Sequence, residues 1–199
     1  TTLQIHSLAE AHSSAEALAR QAITLDPADA EAHSTLALVL WLRGDCRGAE
    51  AQAREALAIS PNLAFAHAVL GATLVFSGRP REGIVAVRTA IRLDPRDPML
   101  PSRLNHMALG FYFCREYETT IEVAKQAIHS NPGYPLTYRW LAAALGQLGQ
   151  IADAERALER AITIAPDSFD MYVRNRVPWI RLQDHNHMLE GLRKAGWSG

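Results

Sequence analysis

Eight histidines, two cysteines and a few closely spaced carboxylates are the side chains here with chemical potential. His185 and His187 are two apart, so on a helix they diverge by about 200° instead of sharing a metal-binding face. His33 and His67 stand in equivalent positions 34 residues apart. They read either as partly buried packing rings or as a pH-sensitive pair. Cys46 and Cys114 form no CxxC pair, and neither has an adjacent histidine or cation cluster to activate a thiol. Glu118 with Glu122, and Glu155 with Glu159, have the spacing of a helical acid–base pair but no cleft; a solvated outer face accounts for them. No glycine-rich phosphate loop, G-x-S-x-G elbow or H-E-x-x-H helix occurs. The expectation is no catalytic residue, no metal, no cofactor and no enzymatic activity in this chain.

The elements that would position these residues follow from composition and repetition. The chain has 199 residues, 48% of them hydrophobic and 21% charged, enough to bury a core in one domain or two small ones. Its net charge of -1 offers no bulk attraction to nucleic acid or an acidic membrane. The longest uncharged run, 60–78, has an apolar part, Leu63 to Phe76, too short to span a bilayer and suited to a core helix. Two unpaired thiols and no signal peptide point to the cytoplasm. Thirty-three alanines favour helices with close backbone packing. Only two lysines, Lys125 and Lys194, accompany the arginines.

Prolines 27, 61, 95, 132 and 166 close similar tripeptides at spacings of 34, 34, 37 and 34. Small residues keep the same phase twelve and five positions earlier: Ala15/Ala22, Ala49/Ala56, Gly83/Ala90, Thr120/Ala127 and Ala154/Ala161. An apolar–small pair opens each unit at Leu36-Ala37, Leu70-Gly71, Met107-Ala108 and Leu141-Ala142, followed by Leu40, Leu74, Phe111 and Leu145. Gly44, Gly78 and Gly149 mark turns between helices, and Asp45 is placed to cap the next helix.

This pattern resembles the tetratricopeptide (TPR) repeat, a helix–turn–helix unit of 34 residues, over nearly the whole chain. The resemblance implies an all-α fold, a right-handed α-solenoid whose first helices line a concave face, closed by a C-terminal capping helix. It sets a solenoid over 1–168, with a partial repeat at 1–29 and full repeats at 30–63, 64–97, 101–134 and 135–168. Residues 169–199 form a degenerate repeat and the cap. The three extra residues Pro98-Met99-Leu100 predict a helix starting about a turn early, with Asp97 as its cap and Pro98 in first position. A short proline linker or a Pro-x-x-P ligand is the alternative. Asn175 and Arg176 stand where a core pair belongs, and Pro178 breaks the helix. Asp184 opens a last helix over 185–195, closed by Gly196, with Met188, Leu189, Leu192 and Ala195 as its apolar side. In repeat phase Thr1 falls about six residues into a helix, as in a piece of a longer protein or one with its start removed.

Repeat phase points Leu38, Trp41, Phe65, Phe76, Asn105, His106, Leu109, Tyr112, Phe113, Arg139, Trp140 and Arg174 into the groove. Ser34, Val69, Val75 and Ala143 join them. TPR proteins that grip acidic chaperone tails use Lys and Asn there, whereas these positions are mostly apolar or aromatic. Aromatic and Arg side chains anchor protein interfaces. The expected ligand is a helix or extended segment of a protein or peptide, with Arg139 and Arg174 fixing an acidic group. The alternative is that these residues pack against neighbouring repeats.

The stretch Tyr138 to Gly149, together with Pro178-Trp179-Ile180-Arg181, Asp184-His185 and His187 to Trp197, resembles the C-terminal TPR region of bacterial adenylate/guanylate cyclase-like proteins. That resemblance implies a regulatory or scaffolding module whose parent carries its cyclase, or a winged-helix DNA-binding domain, outside this chain. Self-association into a homodimer would then bring catalytic domains together. A standalone adaptor that binds a partner's peptide or helix is the alternative. Neither reading has this chain itself contact nucleic acid or membrane.

Overall fold

A computed structural model describes residues 2–177 and 180–199, with side chains from residue 10 onward. The expected helix break at Pro178, and Trp179, lie outside the described residues. Helix α1 (Thr2–Leu25) leads into four hairpins, and no strand occurs among the described residues. The hairpins are α2 (Ala30–Leu42) with α3 (Cys46–Ile59), α4 (Ala64–Phe76) with α5 (Pro80–Leu93), α6 (Leu100–Phe113) with α7 (Tyr117–Ser130), and α8 (Pro135–Gln147) with α9 (Ile151–Ile164). Short α10 (Pro166–Val173) and α11 (Leu182–Lys194) follow. Each helix packs on the next up to α9, and each first helix also touches the first helix of the following hairpin. The result is the expected α-solenoid: α2, α4, α6 and α8 form the inner layer and α3, α5, α7 and α9 the outer one.

Local signals set the boundaries. The Asp29 carboxylate accepts the amide hydrogens of Glu31 and Ala32 at 2.9 Å each and caps α2. Asp45 does the same for α3 through Gly48, at 2.9 Å. Gly44, Gly78 and Gly149 end their first helices at φ 88°, 92° and 71°. The third hairpin has Arg115 in that place at φ 63°, where a side chain strains the backbone. Within hairpins, small residues let backbones meet. A Cβ on Gly71 would sit 2.9 Å from the Gly83 carbonyl oxygen, so neither glycine of that crossing admits a side chain. Ala49, Ala53, Ala56, Ala124, Ala127 and Ala154 are buried without exposure for the same reason.

Position four of three hairpins reaches back to the turn before it. His33 Nε2 lies 3.1 Å from the Pro27 carbonyl oxygen and His67 Nε2 2.9 Å from that of Pro61. The Tyr138 hydroxyl donates to Pro132 over 3.1 Å. The two histidines thus each tie down a proline turn.

Two expectations about helix placement are corrected. The residues 98–100 do not lengthen a helix by a turn. Asp97 Oδ1 accepts the Met99 amide at 2.8 Å, and the Leu100 amide bonds the Asp97 carbonyl at 2.8 Å, making a second tight turn before α6 starts at Leu100. The last helix begins at Leu182, because Arg181 holds the Asp184 carboxylate at 2.6 and 2.9 Å and Asp184 does not serve as its cap. Its end is as expected: Gly196 at φ 92°, with the Trp197 amide on the Leu192 carbonyl at 3.0 Å.

Candidate functional site

The inner faces of α2, α4, α6 and α8 carry a continuous ribbon of rings. Trp41 lies 5.5 Å from Phe76, Phe76 lies 6.4 Å from Phe113, and Phe113 lies 5.5 Å from Trp140. His106 meets Trp41 edge-on at 5.6 Å and Phe76 at 6.2 Å. Tyr112 sits against Trp140 at 5.5 Å. Such pairs add about 0.5–1.5 kcal/mol each beyond the area they bury. Burial and the nearby Arg103 push the His106 imidazole down to about 3, so it is neutral at neutral pH.

The α6–α8 end of this ribbon is covered. Helix α11 packs mainly on α8, the first helix of the last hairpin. The Arg181 guanidinium lies against Gly78 at the end of α4. The Tyr112 hydroxyl donates to the His187 carbonyl oxygen at 2.8 Å, and the His187 ring stacks on Tyr112 at 4.5 Å. His187 Nε2 also lies 2.9 Å from the Tyr117 hydroxyl. Lys194 reaches Gln147 at 2.7 Å. Met188, Leu192 and Ala195 are fully buried, and beneath them Tyr112, Trp140 and Ala143 have no exposed surface.

The physical reason for this docking is a small-residue crossing. A Cβ on Gly191 would come within 2.7 Å of the Ala143 carbonyl oxygen, and one on Gly146 would collide with the Gly191 carbonyl. Leu192 and Met188 then bury on the Ala-rich face of α8, worth about 1.5–3 kcal/mol per side chain.

Of the residues assigned to the groove, Trp41, Phe76, Asn105, Leu109, Tyr112, Arg139 and Trp140 are buried. Leu38, Phe65, His106 and Phe113 are half-buried. Phe65 carries the Arg103 guanidinium over its ring at 5.9 Å. Arg174 is the correction. It is exposed and bonds Asp170 of its own helix at 2.7 Å, one turn away, so it does not join Arg139. Arg139 is only 4% exposed and among the described residues meets no carboxylate; its guanidinium lies over Tyr172 at 4.4 Å and Trp140 at 5.0 Å. Burial lowers it to about 10. Its Nε, Trp140 Nε1 and His185 Nδ1 are buried without a hydrogen-bond partner.

Reading the sequence misses Tyr117, His187 and Gly191, which complete this surface. The one available signal is Gly191, a glycine inside an otherwise amphipathic helix, which marks a close backbone approach. Cys46 and Cys114 both have thiols pushed up by burial, so neither is an activated nucleophile. Glu118, Glu122, Glu155 and Glu159 are all solvent-exposed. Among the described residues no group of histidine, cysteine and carboxylate side chains is placed to hold a metal. No helix among them is long and apolar enough to cross a membrane.

Comparison with known proteins agrees with this geometry. Two family models described as tetratricopeptide repeat match residues 6–64 and 115–173, together more than half of the chain. Among curated proteins none matches. Solved structures share the fold at low identity. PilW, a widely conserved type IV pilus biogenesis factor, is 18% identical, with TM-score 0.73 over 94% of this chain and 88% of that one. A thermophilic TPR protein of Thermus thermophilus, TTC0263, is 21% identical, with TM-score 0.68 over 88% and 94%. YrrB, a TPR protein with an unusual peptide-binding site, is 17% identical, with TM-score 0.60 over 89% and 90%. The periodic prolines, the paired helices with small-residue crossings and both matched stretches make this chain a member of the tetratricopeptide-repeat family, a protein-interaction module.

Proposed function

We propose that this chain is a non-catalytic module that captures a helical segment of a partner protein in its concave groove. The observation that carries the reading is α11 itself: the groove accepts an amphipathic helix, with Gly191 set against Ala143 and Gly146. The half-buried rings of Phe65 and Phe113 supply the apolar anchors, and Arg139, with no carboxylate beside it among the described residues, supplies a charge for an acidic group. The peptide-binding site of YrrB supports a peptide-like ligand.

The larger context follows from the sequence. The resemblance of residues 138–149 and 178–197 to cyclase-associated repeats supports a regulatory or scaffolding role in a bacterial adenylate/guanylate cyclase-like signalling protein in the cytoplasm. A standalone adaptor would use the same groove in the same way. The test is a photo-crosslinking residue introduced at Phe65, half-buried in the groove, and in a separate protein at Val85, exposed on the outer layer. Cross-links to one partner segment from position 65 and none from 85 are expected. Equal capture from both positions overturns the groove.

A further inference from the structure

On the outer layer, helices α7 and α9 straddle α8 and leave a cavity of about 260 Å³. Its floor is the buried side chains of Tyr138, Leu141 and Leu145 from α8, with Ala157 of α9. Its rim carries three exposed cations, Lys125, Arg156 and Arg160, against one anion, Asp153. Arg156 holds Asp153. Arg160 lies over the Tyr138 ring at 5.9 Å, and neither it nor Lys125 meets a carboxylate among the described residues. Two unanswered cations therefore stand over an apolar floor, in a chain whose net charge is -1.

The earlier hairpins do not repeat this rim. Arg156 stands where they have Ala51, Val85 and Glu122, and Arg160 where they have Glu55, Thr89 and Gln126. Ala157 replaces Val123 of the preceding hairpin and leaves more room over α8. Small-molecule sites usually enclose ~300–1,000 Å³, so this smaller, open cavity suits one apolar side chain presented by a protein. The cations call for carboxylates on either side of it.

We propose that the occupant is the turn after α1 in a second copy of this chain. Leu25 is 81% exposed, more than any other large apolar side chain among the described residues. Its equivalents Ile59, Leu93 and Ile164 are all half-buried. Asp26, Asp29 and Glu31 follow it, and no lysine or arginine occurs between Arg20 and Arg43. None of these three carboxylates forms an ion pair among the described residues. The turn is already shaped for insertion: Asp26 accepts the Ala28 amide at 2.9 Å, Asp29 caps α2, and His33 holds the Pro27 carbonyl at 3.1 Å. Leu25 enters over Leu141 and Leu145, and the carboxylates meet Lys125 and Arg160. Helix α1 packs on α2, at the opposite end of the solenoid from α9, so Leu25 does not reach the cavity of its own chain. The contact joins two different surfaces, so copies line up head to tail in open-ended rows. It is small, so association is transient and grows with concentration. It lies apart from the concave groove and does not depend on it.

Sedimentation velocity on the full chain from ~10 μM to ~1 mM tests this. The cavity variant is Arg156→Glu with Arg160→Glu; the turn variant is Leu25→Lys with Glu31→Gln. All four side chains are exposed, and circular dichroism checks that each variant keeps its helices. The wild type should grow in mass with concentration. Each variant alone should associate at least ~10-fold more weakly. An equimolar mixture of the two should form dimers and nothing larger, because one partner keeps its turn and the other its cavity. A wild-type chain that stays monomeric, a cavity variant that associates like the wild type, or a mixture no larger than its components overturns the proposal.

Discussion

Two arginines of the same predicted role show what burial does to chemistry. Arg174 stays in water and pairs with Asp170 one turn away, an exposed contact worth about 0–1 kcal/mol. Arg139 is buried with its guanidinium over the rings of Tyr172 and Trp140. Cation–π contact with Tyr172 and Trp140 returns about 0.5–2 kcal/mol, less than the several kcal/mol that desolvating a charge costs. Arg139→Met keeps the volume and removes the ion, so it should stabilise the chain by about 1 kcal/mol. For this length that is a rise of about 2–4 °C in Tm, measured by calorimetry. The same substitution should weaken capture of a partner at position 65. A fall in Tm would mean that the guanidinium has a counter-charge it does not show here. Repeat phase put both arginines in the groove because phase reports direction along a regular unit; it does not report that α10 is short and that Arg174 follows its last turn.

At the scale of elements, the hairpins were legible because each rests on local rules. Proline turns, small residues at fixed phase and Asp45 before a helix all act within a few residues of where they are read. The insertion at 98–100 was not, because Asp97 had two local uses, a helix cap or a turn, and its carboxylate closes the turn on Met99. The third hairpin also breaks the glycine rule at its turn, where Arg115 takes φ 63°. A side chain in that conformation costs about 1 kcal/mol relative to glycine. Arg115→Gly should recover that amount and raise Tm by about 2–4 °C. It also removes a cation that disfavours protonation of His187. A lower Tm with unchanged helix content by circular dichroism would show that the Arg115 side chain makes a contact outweighing the strain.

At the scale of the whole molecule, a solenoid has two ends and a groove, and this chain treats them differently. The α6–α8 end of the groove is covered by α11, a placement that no local pattern could reveal, since it joins Gly191 to Ala143 and Gly146, which lie far from it along the chain. The sequence offered an amphipathic helix; only the fold decides which surface it covers. Helix α1 contacts α2 and exposes Leu18 at 66% and Leu25 at 81%, larger apolar exposure than a surface of alanines and arginines needs. A second copy meeting that face would bury both leucines and double the groove, the arrangement a module needs if it brings two attached domains together. Light scattering coupled to size exclusion should then give a mass that rises with protein concentration for the wild type and stays monomeric for Leu18→Glu combined with Leu25→Glu. The double variant leaves Arg139, α8 and α11 untouched, so its helix content by circular dichroism should be unchanged. A wild-type chain that remains monomeric across a broad concentration range would remove self-association through α1 and leave the proposal of partner capture untouched.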